Sequence, residues 1–292
     1  MKELVIISGK GGTGKTSFAS AFSSLGGEKV TVADCDVDAA DMHILLDPQV
    51  KKTENFYSGY YADIDQEKCN LCMKCIEICK FDAISKTNKQ LKVDEINCEG
   101  CGYCFEICPS NSIKLQKNHT GKIISSVSRF GNKFVYGKLN TGAENSGRLV
   151  AEVKNRARVF AKVEDEQLII VDGSPGIGCP VISSIAGANL VLLVTEPTVS
   201  GIHDLRRISE VIEKFKIPAI CIINKSDLNS DNTRKIKDFL DAKNINLVGE
   251  IKYSEIFPMA ISDGKTIIEF SEELKTEVEK IWELIKQKIE EC

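Results

Sequence analysis

Eight of the twelve cysteines in this 292-residue chain lie between Cys69 and Cys108, in two runs of one pattern. Cys69, Cys72, Cys75 and Cys79 are spaced C-x2-C-x2-C-x3-C, and Cys98, Cys101, Cys104 and Cys108 repeat that spacing, with Pro109 after the last. Three thiolates at this interval let one short loop wrap an iron–sulfur cube, while the fourth, on the helical turn beyond, points towards a second cube. The pattern predicts two [4Fe–4S] clusters, one on Cys69, Cys72, Cys75 and Cys108, the other on Cys98, Cys101, Cys104 and Cys79. Zinc needs only paired C-x2-C knuckles and leaves the remaining regularity unexplained.

A second constellation stands near the N-terminus. Gly9-Lys10-Gly11-Gly12-Thr13-Gly14-Lys15-Thr16, followed by Ser17, fits G-x-x-x-x-G-K-[ST]. Backbone N–H groups of such a loop, with the helix N-terminus behind it, cradle phosphate oxygens. Lys15 is expected at the β- and γ-phosphates, and the Thr16 hydroxyl on Mg²⁺. Asp34, Asp36 and Asp38 close the next apolar run, and Asp172-Gly173-Ser174-Pro175-Gly176 closes another.

These residues need elements to hold them. An apolar strand over Glu3–Ser8, a helix over Lys15–Leu25 and a strand over Lys29–Asp34 open a parallel α/β sheet. The pattern stops from about Asn55 to Gln116, where short strands and turns are expected with no helix of useful length. Here Ile64–Ser85 and Val93–Lys114 align without a gap, their first cysteines 29 residues apart. That is an internal duplication, read as a small pseudo-symmetric module. After a hairpin or loop over His119–Gly147 the α/β pattern resumes. A helix spans Arg148–Val163, and Gln167–Asp172, Leu190–Thr195 and Ala219–Asn224 read as buried parallel strands, with a helix over Gly201–Phe215. The fold class is therefore a parallel-sheet α/β domain with an inserted α+β module. The expected boundaries are 1–55 and 118–292 for the domain and 56–117 for the insert.

A net charge of −4 argues against a general nucleic-acid binder. No signal peptide or membrane span is apparent, so clustered thiols read as metal ligands in a cytoplasmic protein. The last helix, Ser271–Glu291, gathers Val278, Ile281, Trp282, Ile285 and Ile289 on one face. Its polar face is acidic, which anionic lipid would repel, so it is expected to dock on the sheet without stable membrane insertion.

With Lys10 as a second lysine inside the loop, KGGTGKT resembles the deviant Walker A motif of the MinD/ParA/Mrp superfamily. The resemblance covers the chain outside the insertion. It implies an ATPase forming an ATP-dependent homodimer or paralogue heterodimer, with Lys10 crossing to the partner's phosphates as an arginine finger would. It further implies that Asp36 orients the attacking water, that Asp172 holds Mg²⁺ through water and that Gly176 gives its N–H to the γ-phosphate. Asn224 and Lys225 resemble the base-reading segment, with ATP preferred, and Pro258 is expected beside the adenine. The cysteine module resembles bacterial two-cluster ferredoxins, although Lys80 replaces the usual proline after the first run.

Together these features resemble MinD-superfamily ATPases carrying an inserted ferredoxin domain. The implied function is ATP-driven dimer change coupled to electron transfer towards an unidentified redox partner. The alternatives are an iron–sulfur scaffold or carrier serving a client metalloprotein, and a redox-sensing regulatory ATPase. Cys179, seven residues after Asp172, resembles a subunit-bridging cluster ligand of the nitrogenase iron protein. Glu144-Asn145-Ser146-Gly147-Arg148 supplies no second cysteine for it, so a packed or switch-linked thiol is expected.

Overall fold

The computed structural model describes residues 1–143, 146–164 and 167–292. The chain opens with β1 (Lys2–Ile7), α1 (Lys15–Gly26), β2 (Val30–Asp34), α2 (Met42–Leu46) and the long β3 (Gln49–Ile64). The cysteine-rich stretch holds α3 (Lys74–Ile78), β4 (Ile84–Thr87), β5 (Gln90–Val93) and α4 (Tyr103–Ile107), and leaves through β6 (Ile113–Val127). Next come β7 (Lys133–Leu139), α5 (Ser146–Val163), β8 (Leu168–Asp172), α6 (Cys179–Ile185), β9 (Leu190–Thr195) and α7 (Val199–Phe215). The chain ends with β10 (Ala219–Asn224), α8 (Ser230–Ala242), β11 (Asn246–Ile251), α9 (Ile256–Ser262), α10 (Ile267–Phe270) and α11 (Glu272–Glu290).

Two compact units result. One comprises Met1–Glu54, Ile123–Lys138 and Ser146–Cys292, the other Asn55–Lys122 and Leu139–Asn145. The second unit thus runs past residue 117, because β6 is one uninterrupted strand, and it takes in a further short segment after β7.

In the larger unit the strand order is β11-β10-β9-β1-β8-β2-β7, continued by β6 and β3. Neighbours from β11 to β7 pair in parallel. The sheet is mixed where a purely parallel one was expected, because β6 and β7 form a hairpin at its edge. Central β1 buries Leu4, Val5, Ile6 and Ile7 completely, as a strand covered on both faces must. One face is packed by α1 and α11: Trp282 stacks on Phe22 at 5.3 Å, and Val278, Ile281, Ile285 and Ile289 are buried in the same core. Parallel pairing puts Asp34 of β2 directly opposite Asp172 of β8, at the carboxyl ends of adjacent strands. Ligands of open α/β sheets bind at that edge.

The second unit carries the 29-residue repeat into its backbone. Within the two repeats the left-handed residues come in pairs at that spacing: Leu71 with Gly100, Met73 with Gly102, and Asp82 with Asn111. Met73 and Gly102 cap α3 and α4, and Cys79 and Cys108 end them in extended conformation. A leucine or methionine at positive φ costs about 1–2 kcal/mol and persists where its surroundings fix it. Both lie inside a Cys-x2-Cys loop.

Candidate functional site

The glycine loop joins β1 to α1. Gly12 and Gly14 have φ of 78° and 93°, which let the chain turn its amides inward. A Cβ on Gly14 would also come within 2.6 Å of Asn224 Nδ2. The loop borders a cavity of about 710 Å³, within the range of small-molecule sites. Gly11, Gly12, Gly14, Lys15, Thr16, Ser17, Asp36, Asn224, Lys225 and Pro258 line it, joined by Tyr253, Phe257 and Ile261 on the apolar side. Gly9 lies outside the lining, with α7 packed against it at Asp204.

Lys15 is 6% exposed and donates to Asp172 Oδ1 at 2.7 Å, with Asp36 Oδ2 at 3.5 Å. Burial alone would push its ammonium towards neutrality, but Asp172, Asp36 and Asp34 outweigh that and hold its pKa above the ordinary lysine value. Burial, followed by the Asp172 charge, raises Asp34 well above the ordinary carboxylate range against the pull of Lys15. Burial likewise raises Asp36. Asp34 Oδ2, Asp172 Oδ2 and Thr13 Oγ1 are buried without a hydrogen-bond partner among the described residues. Lys15 Nζ bridges Thr16 Oγ1, at 3.4 Å, and Asp172, and orphaned carboxylate oxygens are the hard donors that Mg²⁺ takes, directly or through water.

The remaining expected nucleotide residues are distributed differently. Asn224 is buried and donates to Thr13 O at 2.8 Å, while its Oδ1 accepts the Lys225 N–H, so it braces the loop from beneath. Lys225 Nζ donates to Gly12 O at 3.0 Å. Gly176 N–H is engaged with Ser8 O at 2.9 Å, so in this conformation it is not free for a phosphate. Lys10 does not face the cavity. Its Nζ lies 2.6 Å from Glu196 Oε1 and within hydrogen-bond reach of Thr198 and Ser200.

In the second unit the eight cysteines repeat in burial as well as spacing. Cys75 and Cys104 are buried, Cys72 and Cys101 exposed, and Cys69, Cys79, Cys98 and Cys108 lie between. Cys69, Cys72, Cys75 and Cys108 line one pocket with Ile64, Leu91 and Ile113. Cys104 lies within electrostatic reach of Cys98 and Cys101, and Cys79 packs on the same apolar cluster. Backbone N–H groups of Ala62 and Ser112 donate to the sulfurs of Cys98 and Cys108. Burial works to raise Cys108, but hydrogen bonds from Ser112 and Ser110 prevail and bring it down to about 7. Among the described residues no three Cys, His, Asp or Glu side chains converge on a point suited to a single metal ion.

Cys179 is exposed and abuts the backbone of Gly147. Glu144 and Asn145, which precede Ser146, lie outside the described residues.

A family model described as the CobQ/CobB/MinD/ParA nucleotide binding domain matches residues 4–267. The chain belongs to this family. Two uncharacterized proteins of Methanocaldococcus jannaschii are similar to it. MJ0578 is 34% identical over 233 residues, covering 79% of this chain and 80% of its own. MJ0579 is 29% identical over 247 residues, covering 81% and 87%. Among solved structures, MinD with Mg-ADP from Pyrococcus horikoshii matches with a TM-score of 0.57 at 17% identity, covering 97% of this chain and 95% of that one. An ATP complex of the McdA D38A variant from Cyanothece gives 0.51 at 19% identity, over 99% and 96%. At such identities the likeness is one of fold.

Within this MinD-like fold, Glu196, paired with Lys10 and Lys225, is a residue that no motif marks. Its only signal is position: a carboxylate directly after the apolar strand β9, at the ligand-binding edge of the sheet.

Proposed function

We propose that this chain is an ATP-binding and ATP-hydrolysing protein that couples nucleotide-dependent dimerisation to single-electron transfer through two [4Fe–4S] clusters. The ATPase half draws on family membership and on the cavity bordered by the glycine loop. Thr16, with Asp172 and Asp34 behind it, would hold Mg²⁺. Asp36 stands at the cavity to orient a water, and Lys10 acts across a dimer.

The cluster half is carried by one observation: the 29-residue cysteine repeat persists in burial and in paired left-handed residues. Such symmetry suits two equivalent cubes. Cys69, Cys72, Cys75 and Cys108 would hold the first, and Cys98, Cys101, Cys104 and Cys79 the second. Bound clusters would supply low-potential one-electron transfer. The reading puts the protein in the cytosol, where reducing conditions keep the thiols available to iron. Anaerobically purified protein is expected to contain about eight irons and eight acid-labile sulfides per chain. Stoichiometric zinc without iron would overturn the assignment.

Coupling follows from chain continuity. The cysteine unit is entered through β3, which follows Asp34–Asp38 after the short helix α2, and left through β6, ahead of Asp172. If ATP binds the oxidised and reduced forms differently, linkage requires it to shift the potential by the same free energy. A coupling of about 1–3 kcal/mol corresponds to about 40–130 mV for a one-electron couple. Anaerobic EPR titrations without nucleotide, with ADP and with a non-hydrolysable ATP analogue should give midpoints that differ on this scale. Identical midpoints would leave the clusters uncoupled. A second reading, delivery of clusters to a client metalloprotein, draws on the exposure of Cys72 and Cys101. It requires rapid cluster loss to an apo-acceptor, which permanently held cubes would resist.

A further inference from the structure

We infer that Glu196 is a releasable latch for Lys10, holding this lysine on its own chain and setting the threshold at which it crosses to a second copy. The inference rests on the proposed ATP-dependent dimer and adds the group that opposes it.

Glu196 directly follows β9, in the turn that leads to α7. Its side chain is only 8% exposed, and its two oxygens serve two different lysines. Oε1 meets Lys10 at 2.6 Å and Oε2 meets Lys225 at 2.7 Å. Burial works to raise this carboxyl, but hydrogen bonds from both lysines prevail and hold it ionised, below the ordinary glutamate value.

The turn itself is fixed. Thr198 N–H donates to Glu196 O, Thr198 Oγ1 caps α7 by accepting from Gly201 N–H, and Gly201 lies so close to Glu196 O that a side chain there would collide with it. The carboxylate is therefore aimed by backbone geometry, while Lys10 reaches it with a flexible side chain 28% exposed.

The shared arrangement decides how the latch behaves. A buried carboxylate with a single cation would be stranded, unpaired, when that cation left. Here Lys225 stays on Oε2 and is itself anchored to Gly12 O. Glu196 keeps a counter-ion when Lys10 departs, so release costs only a partly exposed pair. Measured pairs of that kind contribute about 1 kcal/mol or less. The contact is strong enough to bias Lys10 towards its own chain and weak enough for a partner's phosphates to win.

The test compares four proteins: the parent, Glu196→Gln, Lys10→Ala and the double variant. Each is titrated for dimer mass by light scattering with a non-hydrolysable ATP analogue and Mg²⁺. Glu196→Gln is expected to dimerise at a protein concentration lower by up to about twenty-five-fold, since each dimer releases two such contacts. That gain should vanish in the Lys10→Ala background, because a latch can act only through the lysine it holds. If Glu196 merely shaped the turn or the Lys225 contact, its effect would persist without Lys10, and the latch would be overturned. A parent that dimerises in a Lys10-dependent way while Glu196→Gln is no tighter would overturn the latch alone. A parent that stays monomeric with the analogue would overturn the dimer reading and the latch with it.

Discussion

Lys15→Ala is expected to lose nucleotide binding by about a hundredfold or more and to lower the stability of the nucleotide-free protein. Both effects come from the same buried ammonium. In the nucleotide-free arrangement Lys15 bonds Asp172 and faces Asp36 and Asp34, three carboxylates at the ends of neighbouring strands. Removing one partner of a buried ion pair costs about 3–5 kcal/mol, since the charge left behind is unpaired. The carboxylates of Asp34 and Asp36 already stand above their ordinary pKa, and without Lys15 they would resist ionisation further.

Nucleotide binding adds a charge exchange. The carboxylate oxygens that now lack partners would hold Mg²⁺, directly or through water, and its charge would compete with Lys15 for Asp172, so that Lys15 could turn towards the phosphates. Truncating a buried, hydrogen-bonded charge at a binding interface costs about 2–5 kcal/mol, the source of the expected hundredfold loss. Calorimetric titration with Mg-ATP and a thermal melt without nucleotide measure the two effects separately. Near-parental affinity in Lys15→Ala would remove this lysine from the phosphate site. An unchanged melting temperature would mean that its ion pairs with Asp172 and Asp36 contribute nothing.

Which parts of this molecule could be read from its sequence follows from what each part needs. Buried parallel strands are covered on both faces, so β1, β8, β9 and β10 appear as unbroken apolar runs and were located to within a residue or so. The glycine loop is legible because its chemistry is local, with every contributing residue in one octet. The edge strands escaped for the opposite reason. Residues Gln49–Thr53 of β3 are solvent-exposed and carry neither an apolar run nor a clear alternation, and β6 shows an apolar run only near its end. The compact unit extends to Lys122, beyond the boundary at 117 that the sequence suggests. Glu196 meets Lys10 and Lys225 only after folding, across separations of 186 and 29 residues, so no local pattern could reveal it. Gly176 illustrates a further limit. Its place after Asp172 marks it as a switch residue, but which acceptor its N–H holds depends on conformation, and here that acceptor is Ser8 O.

Lys10→Ala should separate binding from turnover. Unlike Lys15, this lysine is partly exposed, lies outside the cavity lining and is bonded to Glu196, Thr198 and Ser200 on its own chain. Truncating it removes no contact to the cavity, so affinity of the monomer for Mg-ATP should stay within about threefold of the parent, the scale of a surface substitution. Hydrolysis is the step that should suffer. A cation brought to the transferring phosphoryl group from another subunit neutralises charge that develops only in the transition state, and such trans-acting cations contribute about 10³–10⁵ to turnover. Lys10→Arg is not expected to restore the rate, since a planar guanidinium fork does not reproduce a compact ammonium on a flexible stem. The decisive readout is ATPase activity per chain as protein concentration is raised. The parent should accelerate as dimer forms, and Lys10→Ala should stay flat near the uncatalysed baseline. If the variant instead hydrolyses ATP like the parent, with the same concentration dependence, Lys10 is not the cation that acts across the dimer.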